Sequence, residues 1–114
     1  MDTTKFKVIL QISSTAIPES RLTEYLKDVQ NNELRSYELA PGLDSVCLLQ
    51  RTFVAYVEVV IMSIWRSERD LMRFSESWPS RDRIVSEYGG IQIEPRVYSL
   101  LMFCKGKMRD VEVE

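Results

Sequence analysis

Ala55-Tyr56-Val57-Glu58-Val59-Val60-Ile61-Met62-Ser63-Ile64-Trp65-Arg66 decides the architecture. Read with the two-residue period of a pleat, Val57, Val59, Ile61 and Trp65 fall on one side of this strand. Tyr56, Val60, Met62 and Ile64 fall on the other, so both faces are apolar. An antiparallel sheet with helices on a single side normally shows water a polar second face. At roughly 25 cal/mol per Å² of apolar area, a whole wet sheet face would forfeit many kcal/mol and invite aggregation. A second copy of the chain is the simplest cover, because no remaining segment is long and apolar enough to serve. Tyr98, Leu100 and Met102 against Val97, Leu101 and Phe103 repeat the two-faced pattern near the other end.

Working outward, Leu43 to Thr52 is a second strand close enough to form an antiparallel hairpin with Ala55 to Arg66, and Ala40-Pro41-Gly42 is the turn before it. Upstream, Lys5 to Ser13 alternates as a strand, with Lys7, Ile9, Gln11 and Ser13 on one face. Pro18 suits a first helical turn, and Leu22, Tyr25, Leu26 and Val29 gather on one face of a helix expected to run past Asn32. Downstream, Ser67 caps a helix with Asp70 three residues on. Leu71, Phe74 and Trp78 mark its buried stripe, and Pro79 stops it. A short helix from Ser80 carries Ile84, Val85 and Tyr88 into Gly89-Gly90, where positive φ is expected. The last strand is expected from Arg96 to Cys104. The order is β-α-β-β-α-β, an α+β ferredoxin-like arrangement with an antiparallel sheet. Residues 1–104 form one domain, and 105–114 are a charged tail.

The 114 residues hold 15 Lys and Arg against 17 Asp and Glu, which leaves a charge of −2. That balance argues against nucleic acid as partner. Histidine is absent, which removes Ser-His-Asp and Cys-His nucleophile pairs and imidazole metal or haem ligands. No glycine-rich phosphate loop, CxxC pair or metal-spaced carboxylate cluster occurs, so no cofactor and no metal is expected. Cys47 and Cys104 sit in apolar, strand-like surroundings and read as small hydrophobes rather than as a bridge. No apolar run approaches a membrane span and no basic-then-apolar leader opens the chain, so a cytoplasmic location is expected.

Pro41-Gly42-Leu43 entering the second strand, followed by Val57 to Leu71 with its strand-end Trp65 and acidic helix start, resembles the antibiotic biosynthesis monooxygenase family. The likeness in order and spacing extends from Phe6 to Phe103. It implies a dimeric α+β barrel, in which the four-stranded sheets of a homodimer face each other, and a separate cavity between sheet and helices in each subunit. Members of that family often oxidise phenols or quinols with molecular oxygen and no metal or flavin, using the electron-rich substrate anion as reductant. The resemblance thins at the chemistry. Where quinone-forming members carry an asparagine four residues before the strand-end tryptophan, this chain has Ile61. The asparagine, second tryptophan and histidine of haem-degrading members correspond to Gln11, Phe74 and Ile84, which argues against haem degradation of that type.

The expected pocket set is Gln11, Tyr25, Ile61, Ser63, Trp65, Phe74, Trp78 and Tyr88, with Gln11 and Trp65 as catalytic candidates. Gln11 can hold a phenol or stabilise an oxyanion, or can simply meet solvent at a strand end. Trp65 serves packing or substrate stacking. Phe74 and Trp78 suit core and cavity wall together, and Tyr25 and Tyr88 suit hydroxyl donors or rim covers. Tyr56, Glu58, Val60, Met62 and Ile64 are the expected dimer interface. Glu58, a carboxylate on an apolar face, calls for Arg51, Arg66 or Arg96 of either subunit as counter-ion, and an inter-subunit pair is preferred to a catalytic base. Three functions stay open: cofactor-independent oxygenation of a small aromatic molecule, a non-catalytic ligand-binding or assembly role, and cyclisation or isomerisation of a polyketide-like substrate.

Overall fold

A computed structural model of the chain describes residues 8–77 and 86–101. Four strands, β1 (Ile9–Pro18), β2 (Leu43–Thr52), β3 (Tyr56–Trp65) and β4 (Ile91–Ser99), form one antiparallel sheet in the order β2-β3-β1-β4. Between β1 and β2 the chain passes through a 3₁₀ turn (Glu19–Arg21), α1 (Leu22–Asp28), a π-helical turn (Val29–Glu33) and α2 (Leu34–Glu38). Helix α3 (Glu68–Ser77) follows β3. The ferredoxin-like α+β order read from the sequence is present.

Registers define the two faces. Ile9, Gln11, Ser13, Thr15 and Ile17 of β1 stand opposite Trp65, Ser63, Ile61, Val59 and Val57 of β3. All of these β3 residues are buried. With Tyr25, Val29, Tyr37, Leu71 and Phe74 of the helices, Ile17 and the apolar β3 residues make one core. The other face holds Tyr56, Glu58, Val60, Met62 and Ile64 of β3, none of them buried. Leu10, Ile12, Ser14 and Ala16 of β1 and Cys47, Leu49 and Arg51 of β2 share that face by register. Tyr56 is 42% exposed, Leu49 47% and Ile91 70%, so this apolar surface is open in the single chain.

Two boundaries differ from the sequence reading, those of β1 and of the last strand, and the first helical segment runs past Asn32 as expected. Strand β1 continues through Ser14-Thr15-Ala16-Ile17 to Pro18, which ends the strand instead of opening the helix; the small polar run pairs with β3 throughout and with β4 from Ser14 to Ala16. The first helical segment reaches Glu38, well past Asn32, with a wide π turn in its middle. The last strand spans Ile91–Ser99 rather than beginning at Arg96. Pro95 sits where the β1–β4 register shifts between Ile12 and Ser14, and such a bulge on an edge strand tolerates a residue that cannot donate to the ladder. Residues 102–104 of the expected strand, the tail 105–114, and Trp78, Ile84 and Val85 lie outside the described residues.

Three local devices hold the connections. Asp70 donates its backbone N–H to Ser67 Oγ at 3.2 Å, and the Ser67 hydroxyl donates to Asp70 Oδ2 at 2.9 Å, which caps α3 as expected. Gly42 (φ +85°) and Gly89 (φ +66°) occupy the left-handed region. So does Ala55 (φ +69°) at the tip of the β2–β3 hairpin, where Phe53 N–H donates to Tyr56 O at 2.9 Å.

Candidate functional site

The inner face of β1 is unusual for a strand beneath helices. Gln11, Ser13 and Thr15 point toward the helical layer while Leu10, Ile12 and Ala16 point away from it. Ser13, Thr15 and Ser63 are all buried, Thr15 and Ser63 completely. A polar group under a helical layer costs free energy unless it finds a hydrogen bond. Ser63 Oγ accepts one from Trp65 and Ser13 Oγ has no partner, so at Ser13 fold stability alone would favour an apolar residue.

Around one end of this row stands an aromatic cluster. Trp65, fully buried, packs its ring 5.1 Å from that of Phe74, centroid to centroid, and 6.2 Å from that of Tyr37. Tyr37 and Phe74 close the triangle at 4.6 Å. The Trp65 indole Nε1–H donates to Ser63 Oγ at 2.9 Å, and Ser63 is the direct cross-strand partner of Gln11. The register therefore brings Gln11, Ser63, Trp65 and Phe74 together, and Ile61 follows two residues along the same face. Tyr37 joins them although the sequence reading missed it. Its signal was the four-residue spacing Val29, Glu33, Tyr37, which the polar stretch Gln30-Asn31-Asn32 obscures.

The other two expected tyrosines stand apart. Tyr25 and Tyr88 meet edge to face at 5.4 Å. They lie at the Pro18 end of β1, since Gly89, next to Tyr88, is beside the Pro18 ring. Pro18 pairs with Tyr56, nine residues along β3 from Trp65, or about 30 Å. Tyr88 donates its hydroxyl to Asp28 Oδ2 at 2.9 Å, and the Arg21 guanidinium lies 5.3 Å from its ring centre. That hydrogen bond, followed by partial burial and the charge of Asp28, raises the Tyr88 pKa above the ordinary tyrosine value.

On the outer face, Glu58 pairs with Arg51 of its own chain at 3.2 Å (Nη2 to Oε1). Arg51 is one of the counter-ions expected for Glu58, here from the same chain, because the β2–β3 register sets the two opposite each other. Arg51 also covers the Phe53 ring at 4.5 Å, and Phe53 stacks on Tyr56 at 5.0 Å. These residues, with Ala16, Pro18, Ile91 and Ile93, border an open hollow of about 550 Å³. Cys47 is a free thiol on the same face. Among the described residues, no three His, Cys, Asp or Glu side chains gather as metal ligands, and no helix is long and apolar enough to cross a membrane.

No protein-family model and no curated protein matches the sequence. Solved structures do. A candidate antibiotic biosynthesis monooxygenase from Bacillus cereus superposes with a TM-score of 0.64 at 15% identity, covering 88% of this chain and 99% of that one. The fold is that of the antibiotic biosynthesis monooxygenases. A candidate monooxygenase from Shewanella loihica follows at TM-score 0.62 and 18% identity, covering 84% and 96%. SnoaB, a cofactor-independent oxygenase from Streptomyces nogalater, is similar at TM-score 0.60 and 12% identity, covering 83% and 95%. At such identities the likeness to antibiotic biosynthesis monooxygenases concerns the backbone, and the chemistry rests on the side chains described above.

Proposed function

We propose that the inner layer around Gln11, Ser63, Trp65, Tyr37 and Phe74 binds a planar phenol, quinol or polyketide-like aromatic and supports its oxygenation by molecular oxygen without a cofactor. The single observation that carries this reading is the reversed polarity of the middle of β1, which between Ile9 and Ile17 turns an amide and two hydroxyls toward the helical layer, and Leu10, Ile12 and Ala16 toward the open face. The aromatic side chains supply stacking and apolar contact, and the Gln11 amide orients the phenolic oxygen. The substrate anion is the reductant: for an anthrone, one atom of O₂ becomes the new ring carbonyl. The other leaves as water with the two hydrogens of the oxidised carbon.

The same reversal supports a homodimer closed over Val60, Met62 and Ile64. Half-buried aliphatic side chains cover the centre of that face, and the carboxylate there is already paired within its own chain. A second reading, a ligand-binding protein without turnover, draws on Ile61, which is 1% exposed and apolar where oxygen-using relatives are expected to be polar.

Dissolved-oxygen uptake with a panel of naphthols, anthrones and quinols, coupled to product mass, tests the proposal. Uptake with incorporation of one oxygen atom supports oxygenation. Saturable binding without turnover supports the second reading, and turnover under argon supports cyclisation or isomerisation.

A further inference from the structure

The open hollow on the outer face takes no part in that scheme, and the sheet explains why it exists. Arg51, Glu58, Ala16 and Ile91 stand side by side across β2, β3, β1 and β4. The third side chain in this row is only a methyl group, so the row has a gap over Ala16. Glu58 and Ile91 border the gap two strand spacings apart, or about 10 Å. Pro18, Ala55, Tyr56 and Ile93 line its other sides, and the hollow measures about 550 Å³. Ligand pockets have volumes of this order and are mostly apolar with a few placed polar groups.

The polar groups here are held in position. Arg51 Nη2 is 3.2 Å from Glu58 Oε1, and the guanidinium also lies 4.5 Å from the centre of the Phe53 ring, which stacks on Tyr56 at 5.0 Å. The Arg51 side chain, 68% exposed, is thus fixed from two directions, and its fork keeps N–H donors beyond the one that Glu58 takes. A surface ion pair contributes little to stability, and setting Glu58 into an apolar face, with 17% of its side chain exposed, has a desolvation cost. Two leucines would serve the fold as well. At the end of the hollow Ala55 holds a left-handed φ of +69°, with its carbonyl accepting the Glu19 N–H at 3.1 Å. Backbone strain of this kind is concentrated at ligand clamps and active sites.

A guanidinium donor beside a carboxylate acceptor complements a group that carries an acceptor beside a donor on one edge. An amide has that edge: its carbonyl oxygen accepts from Arg51 while its N–H donates to Glu58. A flat ring attached to it packs on Tyr56 and the isoleucines. We propose that the hollow is a second small-molecule site, separate from the inner layer, which takes a flat, neutral aromatic molecule with an amide edge. A neutral ligand leaves the charge balance of the pair as it is, and neither Arg51 nor Glu58 has to give up the other.

The test is titration calorimetry of the full chain with 2-naphthamide and with 2-acetylnaphthalene, a near-isostere that has the carbonyl but no N–H. The wild type should bind the amide more tightly by about tenfold or more, because the ketone leaves the Glu58 oxygen without a donor. Replacing the pair together, Arg51→Leu with Glu58→Leu, leaves neither charge unpaired and should reduce the preference to about twofold or less. Ala16→Ile fills the gap with a residue that strands favour, so it should melt near wild type and weaken both compounds by about tenfold or more. Equal wild-type affinity for the two compounds, no binding of either, a preference that survives in the folded double variant, or unchanged affinity in folded Ala16→Ile overturns the site. So does binding that appears only in Met62→Lys, whose charged outer face repels a second copy, since that copy then occupies the hollow. None of these outcomes bears on the inner layer, whose test is oxygen uptake.

Discussion

Gly42 and Asp70 are locked against each other. A β-carbon on Gly42 would overlap the Asp70 side chain, Gly42 already holds φ at +85°, and its carbonyl accepts the Arg66 N–H at 2.9 Å. The turn entering β2 and the first turn of α3 therefore share one small contact, next to the buried end of β3 that carries Trp65.

Gly42→Ala should destabilise the protein by about 2 kcal/mol or more, since it adds left-handed strain to a steric clash. Asp70→Ala should cost about 1 kcal/mol through the lost cap. Urea unfolding followed by circular dichroism measures both. The double variant should relieve only part of the clash, because Asp70→Ala keeps the β-carbon that itself overlaps the new methyl group.

Ser63→Ala should cost about 1–3 kcal/mol, because the buried Trp65 indole then has no acceptor for its N–H. Ser63→Thr keeps an acceptor and should recover part of the loss, provided its additional methyl is tolerated. The same unfolding experiment distinguishes the two.

Met62→Lys on the outer face should halve the molar mass seen by light scattering while preserving the far-ultraviolet spectrum. An unchanged mass, or a wild type that is already single, would remove the homodimer from the proposal.

Tyr88 has a raised pKa, so its contribution is complete below the ordinary tyrosine value near 10 and disappears as pH climbs through the higher folded value. Wild-type stability should fall with pH in that alkaline window, and Tyr88→Phe should flatten the fall. At neutral pH the variant should lose about 1 kcal/mol with the Asp28 hydrogen bond. Melting curves from pH 8 to 11 provide the measurement.

The hairpin of β2 and β3, the Ser67 cap and the two-faced character of β3 were legible in the letters because each depends on neighbours in sequence. What was not legible depended on distant partners. Ser13-Ser14-Thr15 has weak strand preference on its own, and only pairing with both β3 and β4 keeps it extended. The strand at Ile91–Ser99 begins earlier than Arg96 because the register shift opposite Ser13 gives Pro95 a place in it. Gln11, Ser63, Trp65 and Phe74 were named in advance and stand together. Tyr25 and Tyr88 were named with them and stand at the far end, since helical spacing tells which face a residue occupies but not how far along the sheet it lies. Tyr37 was missed because the polar stretch Gln30-Asn31-Asn32 hides the four-residue spacing that ties it to Val29 and Glu33.

The irregularity around Pro95 also bears on the proposed pairing of two copies of this chain. A sheet with aliphatic side chains on its outer face is prone to grow sideways, one border strand adding to the next without limit. At one border, β4 offers Glu94, an imino acid with no proton to donate, and a kinked ladder, and such features blunt strand addition. Growth along that border is thereby discouraged while the broad face stays available, which favours a finite pair over a fibre.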